Sequence, residues 1–341
     1  MKNVLLLWIT LILLSIQLFT ACIKEVKTET IRIGLVTGVG NLNDRGFNQQ
    51  AYEGLLAANL LVETYHEVKE SSSVADIENN ILHFANNDFD VIITLGYDAA
   101  QPTLDAANLY PSIKFLLLDH SFTESPPNLA CVIYQVDQAS FPCGFLAAYW
   151  ALRKNPANPV VGYVAGPDIP TIRQFTSSFA AGVDYFNNQY GASVTVSGAN
   201  ALSFTDTLQG AHLADSLIQL GAEVIFACAG KTGNGALYKA RDAGMSAIGV
   251  DTDQYETIPE VGNILLTSCM KRLGDAIITE IIAVRNSQFH GGQTLFSKLE
   301  NNGVDLAPYH DFEPLIPDSI KQAILTIKQG IIDGSIDSGW K

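Results

Sequence analysis

Apolar runs alternate with amphipathic segments along most of the chain. Uninterrupted Val, Ile and Leu are typical of strands covered on both faces, whereas a 3.6-residue apolar spacing indicates helices. Buried strands are predicted at 31–38, 90–96 and 114–120, with a shorter one near 67–69, and helices from about 48 to 61 and from near 99. Strands that alternate with helices predict an α/β fold with parallel sheets.

The strand pattern of the first half recurs in the second half. RIGLVTG at 32–38 matches VVGYVAG at 160–166. Each of the two glycines in the first run lies 128 positions before its counterpart in the second run. DVIITLG aligns with EVIFACAG so that Gly230 lies 134 positions after Gly96, and KFLLLDH aligns with SAIGVDT so that Asp251 lies 132 positions after Asp119. Three matches at nearly constant separation predict two homologous, Rossmann-like lobes.

The repeat also predicts how the chain divides between the lobes. The first lobe is expected to contain 31–135 plus about 265–300, including a helix at 275–285, and the second mainly 136–264, with 301–341 packing back across the lobes through an amphipathic end at 320–332. The chain is expected to cross between lobes near 135–138, near 260–267 and after His290.

Asp119 and Asp251 each stand at the end of an apolar strand. In open parallel sheets, ligands bind beyond the carboxyl ends of the strands, and two facing lobes form a cleft there. Each lobe is therefore expected to direct one carboxylate into a shared cleft. The alternative is that each aspartate only stabilises its own turn, which is a common role for this residue.

Phe47 and Asn48 lie at the predicted start of the first helix. An aromatic ring followed by an amide could stack on a flat heterocycle and pair with its donor and acceptor edge. Alternatively, Phe47 staples the helix to the core and Asn48 caps it. The two residues alone leave both interpretations open.

The first 22 residues differ from the rest of the chain. Lys2 precedes an apolar stretch from Val4 to Leu18, and Phe19-Thr20-Ala21-Cys22 follows, which is the pattern of an export signal. It resembles a bacterial lipoprotein signal with Cys22 as the lipidated residue, although Phe19 stands where Leu is usual. The alternative is an uncleaved membrane anchor, but the apolar run is short for a spanning helix. We expect a lipid-anchored, extracytoplasmic protein with a polar tether at 23–30.

Composition and the absence of certain motifs exclude several other classes of protein. Lys and Arg total 20 against 35 Asp and Glu, and a net charge of −15 would repel nucleic acid and anionic lipid surfaces. Gly38-Val39-Gly40 lacks the third glycine of a dinucleotide loop, and Gly230-Lys231-Thr232 lacks the first glycine of a phosphate-binding loop. No GxSxG motif occurs in the sequence. We expect neither a cofactor nor catalysis.

Cysteines and histidines give no metal-binding pattern. If Cys22 carries lipid, Cys131, Cys143, Cys228 and Cys269 remain, and their apolar neighbours are typical of small core residues. The sequence has no CxxC pair, and its six histidines lack ligand spacing. We therefore expect no structural metal.

Several segments resemble one family of lipoproteins. The match begins with DRGFNQQAYEGL at 44–55 and continues through YQVDQASFPCGFLAA at 134–148, IRQFTSSFAAGVDYF at 172–186, SFTD at 203–206, GNGALYKA at 233–240, IGVDTDQ at 248–254 and TSCMKR at 267–272. These resemble the basic membrane protein (BMP) family, the purine nucleoside receptor A type of ABC-transporter solute-binding protein. The resemblance implies a type I periplasmic-binding fold.

The resemblance also implies roles for individual residues. Phe47 and Phe204 would sandwich a base, Asn48 and Asp119 would read its edge, Asp251 and Lys271 would hold sugar hydroxyls, and Gly230 would let the backbone approach the ligand. Phe204 could instead be a core residue, and Lys271 could simply pair with Asp251. The chain departs from the family in its Ala229-Gly230-Lys231-Thr232-Gly233 loop, where Lys231 adds a cation near the cleft.

The implied function is capture of a purine nucleoside of the inosine, guanosine or adenosine type by a monomer, and its delivery to an ABC permease. One alternative keeps the fold and exchanges the nucleoside for a sugar or another small polar solute. A second alternative is an enzyme that processes nucleosides, with the aspartate pair as acid and base.

Overall fold

The computed structural model describes residues 30–340, and the predicted signal, Cys22 and most of the tether lie outside this range. Twelve strands occur in these residues: β1 Ile31–Val39, β2 Thr64–Ser71, β3 Val91–Leu95, β4 Lys114–Leu118, β5 Leu129–Tyr134, β6 Val160–Ala165, β7 Thr195–Asn200, β8 Ala222–Cys228, β9 Ser246–Asp251, β10 Leu265–Lys271, β11 Thr294–Ser297 and β12 Val304–Leu306. The strands predicted at the start of each half are confirmed.

The same part of the chain contains ten α-helices: α1 Phe47–Leu61, α2 Val74–Ala85, α3 Ala100–Leu109, α4 Asp137–Lys154, α5 Pro170–Tyr190, α6 Thr207–Gln219, α7 Gly230–Asp242, α8 Gln254–Thr257, α9 Leu273–Arg285 and α10 Asp318–Ile332. Short 3₁₀ turns complete several connections. Within residues 30–340, no helix has both the length and the apolar character needed to cross a bilayer.

The strands form two six-stranded sheets with the same order. The first sheet runs β2-β1-β3-β4-β5-β11 and the second β7-β6-β8-β9-β10-β12. All neighbours are parallel except β12, which pairs antiparallel with β10. The α/β fold with two Rossmann-like lobes is therefore confirmed, and each strand of the first lobe has a counterpart in the second.

The structure places two chain segments differently from the sequence prediction. β10, predicted in the first lobe as part of 265–300, pairs with β9 in the second sheet. Its apolar sequence identifies a buried strand but does not specify which sheet it joins. The second crossing consequently lies between β10 and α9, which packs on α1, and not near 260–267.

The C-terminal part of the chain also differs from expectation. Instead of packing across the lobes, β12 extends the second sheet and α10 packs against α4. The Ser338 hydroxyl donates to the Asp137 carboxylate at the start of α4, at 2.5 Å. The tail therefore stabilises the second lobe next to the connection between β5 and α4.

Candidate binding cleft

A cavity lies between the two lobes, at the carboxyl ends of both sheets. The turns after β1, β3 and β4 and the start of α1 form its first-lobe wall, and the ends of β8, β9 and β10 form the opposite wall. All seven predicted site residues line this cavity: Phe47, Asn48, Asp119, Phe204, Gly230, Asp251 and Lys271. The carboxyl-end rule therefore located the cavity correctly.

A buried ammonium group joins carboxylates from the two lobes. Lys271 Nζ lies 2.7 Å from Asp119 Oδ2 and 3.9 Å from Asp251 Oδ1. The Lys271 side chain is 3% exposed, and the two aspartate side chains are 11% and 10% exposed. The nearer partner of Lys271 is thus Asp119 of the opposite lobe, whereas the pairing considered from the sequence was with Asp251.

The two aspartates share an unusual backbone conformation. The φ angle is 71° at Asp119 and 66° at Asp251, in the left-handed region that few residues other than glycine adopt. Such strain costs roughly 1–3 kcal/mol and persists where the surrounding structure enforces it, often at functional sites. Each sheet therefore turns its aspartate in the same way at the corresponding strand end.

Burial controls the ionisation of this charged group. It raises the pKa of Asp251 from 3.8 to about 6, against the opposing effect of Lys271 and with a further increase from the charges of Asp119 and Asp44. Burial alone would lower the pKa of Lys271, but the two carboxylates outweigh it and raise that pKa. The raised pKa of Lys271 keeps its ammonium protonated, while the carboxyl group of Asp251 has a pKa of about 6.

Aromatic rings surround the charged group. Lys271 Nζ lies 5.3 Å from the Phe47 ring centroid and 5.0 Å from that of Phe175, distances at which a cation is attracted to a ring face. The Phe204 ring occupies the space above Gly166, where a β-carbon would lie 2.2 Å from ring carbon Cε1. Phe204 is half-buried and lines the cavity, so it is not simply a core residue.

Main-chain contacts fix the orientation of Asn48. Its side-chain oxygen accepts a hydrogen bond from the Gly38 N–H at 3.0 Å, which leaves the amide nitrogen towards Gly40 and Asn41. The Asp44 carboxylate accepts from the backbone N–H groups of Gly46, Asn48 and Gln49, at 2.8–3.1 Å. The Asp44 carboxylate therefore caps α1, and the Asn48 side chain does not.

Gly230 begins α7 with a φ of 56°. A β-carbon at this position would lie 3.1 Å from the Phe204 carbonyl oxygen. Both the positive φ and the close contact favour glycine. Its neighbour Lys231 donates to Asn41 Oδ1 across the cleft at 2.9 Å.

Sequence reasoning missed several cavity-lining residues, among them Tyr97, Asp98, Ile172 and Phe175. Tyr97 and Asp98 follow β3, so the strand-end rule that selected Asp119 could also have selected them. Phe175 lies on α5 and reaches the cavity only through the packing of that helix beside the second sheet. No local pattern distinguishes it from a core phenylalanine.

Two parallel-sheet lobes with a cleft at their carboxyl ends define the type I periplasmic-binding fold. A solved ABC transporter solute-binding protein from Aeropyrum pernix has this fold, with a TM-score of 0.84 at 23% identity over 90% of this chain and 92% of its own.

The chain belongs to the Bmp family, described as ABC transporter substrate-binding protein PnrA-like, whose model matches residues 31–338. It is 26% identical to the ABC transporter nucleoside-binding protein BmpA of Lactococcus lactis over 92% of this chain and 90% of that protein. An uncharacterized lipoprotein of Pyrococcus abyssi is 27% identical over 86% of this chain and 74% of its own length. The chain is therefore a substrate-binding component of an ABC transporter and not an enzyme.

The raised pKa of Asp251 predicts a pH-dependent cost in stability. Because the folded pKa of about 6 exceeds the ordinary 3.8, ionisation of Asp251 favours the unfolded chain. This destabilisation is absent at a pH below the ordinary pKa of the carboxyl group and fully present at a pH above its folded pKa. We expect the melting temperature of Asp251→Asn, relative to wild type, to rise between about pH 4 and about pH 8.

Thermal denaturation of the ligand-free protein across this pH range measures the difference. Asp184→Asn, at an exposed position on α5, is the matched control. A difference between Asp251→Asn and wild type that stays constant or falls with rising pH would contradict the assignment.

Proposed function

We propose that the cleft captures a purine nucleoside and that the protein delivers it, as an extracytoplasmic lipid-anchored monomer, to the permease of an ABC transporter. The observation that carries the proposal is the buried Asp119–Lys271–Asp251 group beside the Phe47 ring. The cleft offers both charged hydrogen-bond acceptors and aromatic faces, and each lobe contributes both aspartate and phenylalanine side chains.

The charges favour a hydroxyl-bearing ligand over a phosphorylated one. The buried group holds two carboxyl groups against a single ammonium, so it has no excess of cations to attract an anion. Ionised carboxylates accept strong hydrogen bonds from hydroxyl donors such as those of ribose. A phosphate dianion would be repelled by the same carboxylates and would lose its hydration on entry. The ligand we propose is therefore a nucleoside and not a nucleotide.

The aromatic residues favour a flat base. Phe47 comes from the first lobe and Phe204 from the second, and both line the cavity. Stacking of a base on an aromatic side chain contributes roughly 1–3 kcal/mol. Asn48, held by Gly38, can present its amide to the edge of that base. The name of the Lactococcus lactis relative, a nucleoside-binding protein, supports the same ligand class.

The position of the cleft supports a capture mechanism. A ligand that contacts both lobes would stabilise their closed arrangement, because it gains its full set of contacts only when the lobes meet. The closed form would then dock on the permease.

Substitution of site residues tests the ligand class. We expect Phe47→Ala and Asp251→Ala each to weaken inosine binding at least about tenfold, because one removes a stacking face and the other a hydroxyl acceptor. Titration calorimetry measures the affinity, and circular dichroism checks that both variants fold. Phe296→Ala, at a half-exposed ring on the edge strand β11, is the matched control and should bind as wild type does.

If both site variants bind inosine with wild-type affinity, the ligand does not bind at these residues. Binding of free sugars in preference to inosine, guanosine and adenosine would contradict the nucleoside proposal and support the alternative solute. Release of free base from inosine at catalytic rates would contradict a binding role altogether.

The lipid anchor is proposed from the sequence around Cys22 and from the lipoprotein relative in Pyrococcus abyssi. We expect the full chain, expressed in a bacterium, to incorporate radiolabelled palmitate and to fractionate with membranes. Cys22→Ser should lose the label, whereas Cys131→Ser, at a buried cysteine, should keep it. A Cys22→Ser protein that is still labelled would contradict this anchor site.

A further inference from the structure

The segment Asn41–Gly46, here called the clasp, joins β1 to α1 in the first lobe and lies against the second lobe. Arg45 Nη1 lies 2.9 Å from both carboxylate oxygens of Glu260. The Arg45 carbonyl accepts from the Thr257 hydroxyl at 2.9 Å, and the Asp44 carbonyl accepts from Asn234 Nδ2 at 2.9 Å. The clasp therefore contacts the second lobe through direct hydrogen bonds and an ion pair.

These contacts are separate from the covalent links between lobes. The chain crosses at the ends of β5, β10 and β11, and no clasp residue lies in those connections. The second-lobe partners lie on α7, on α8 and in the 3₁₀ turn Pro259–Ile264. Separation of the lobes about the crossings would therefore break the clasp contacts.

Residues next to the cleft fix the conformation of the clasp. Asp44 caps α1 with its carboxylate, and Arg45 has a φ of 57°, which turns its side chain and carbonyl towards different second-lobe partners. Phe47 and Asn48 follow directly at the start of α1. The position of the clasp and the position of the proposed base-binding residues are thus fixed by one helix start.

We propose that Arg45 and Glu260 set the residence time of the bound ligand without touching it. Neither residue lines the cavity, and both side chains are partly exposed, at 36% for Arg45 and 46% for Glu260. An ion pair that exists only while the lobes are together favours the closed state and slows release. The choice of inosine as probe rests on the function proposed above, whereas the clasp itself does not.

Release kinetics test the proposal. Stopped-flow measurements on the mature protein loaded with inosine should show release about threefold faster for Glu260→Gln than for wild type, since exposed ion pairs make modest contributions. Adding Thr257→Val should accelerate release further. Asp215→Asn is the matched control, because the Lys239–Asp215 pair at 2.7 Å has similar exposure but lies within the second lobe.

Salt provides a readout that a purely structural role would not produce. Between about 0.05 M and about 0.5 M salt, release from wild type and from Asp215→Asn should accelerate, because screening weakens the exposed Arg45–Glu260 pair. Release from Glu260→Gln should change much less. Equal release rates in wild type and Glu260→Gln at low salt would overturn the proposal.

A ligand-free measurement separates failure of the clasp from failure of the proposed function. Small-angle X-ray scattering of the empty protein should give a larger radius of gyration for Glu260→Gln than for wild type or Asp215→Asn. If inosine does not bind wild type, the nucleoside proposal fails, and scattering alone decides the clasp. Identical radii for all three proteins would then overturn it.

Discussion

The buried contact between one lysine and two aspartates is the constraint on which the rest of the cleft depends. Removing three charged groups from water is costly, and such groups persist only with good partners. Lys271 satisfies Asp119 at 2.7 Å but leaves Asp251 at 3.9 Å, so the second carboxylate is only partly compensated. Burial accordingly raises the pKa of Asp251 to about 6. A core optimised for stability alone would not retain this arrangement, whereas the hydroxyl-binding site that we propose would.

The duplicated fold explains how this contact arises. Asp119 and Asp251 end corresponding strands and share a left-handed backbone, so each lobe aims its carboxylate in the same way. When the two carboxyl ends face each other, the aspartates meet, and one lysine at the end of β10 can serve both. The asymmetric elements, Phe47 on α1 and the loop that carries Phe204, then provide the aromatic walls. The repeated fold therefore provides the two aspartates, and the parts of the chain that differ between the lobes provide the aromatic walls of the cleft.

Much of this could be predicted from the sequence, for identifiable reasons. Long apolar runs identified β1, β3 and β4, and the repeat of those runs identified Asp119 and Asp251 as equivalent positions. What failed were properties decided by contacts between distant segments. The sequence of β10 does not reveal that it pairs with β9, and the partner of Lys271 depends on how the lobes meet. Phe175 reaches the cavity through helix packing, which no local pattern records.

The proposed function requires that the carboxylates of the cleft bind sugar hydroxyls of a nucleoside that carries no phosphate. Calorimetric titration of the wild-type protein with inosine, 2′,3′-dideoxyinosine and inosine 5′-monophosphate tests it most directly. We expect loss of the two hydroxyls to weaken binding at least about tenfold, and we expect the phosphorylated compound to bind weakest of the three. Equal affinity for the dideoxy compound, or tighter binding of the monophosphate, would contradict it.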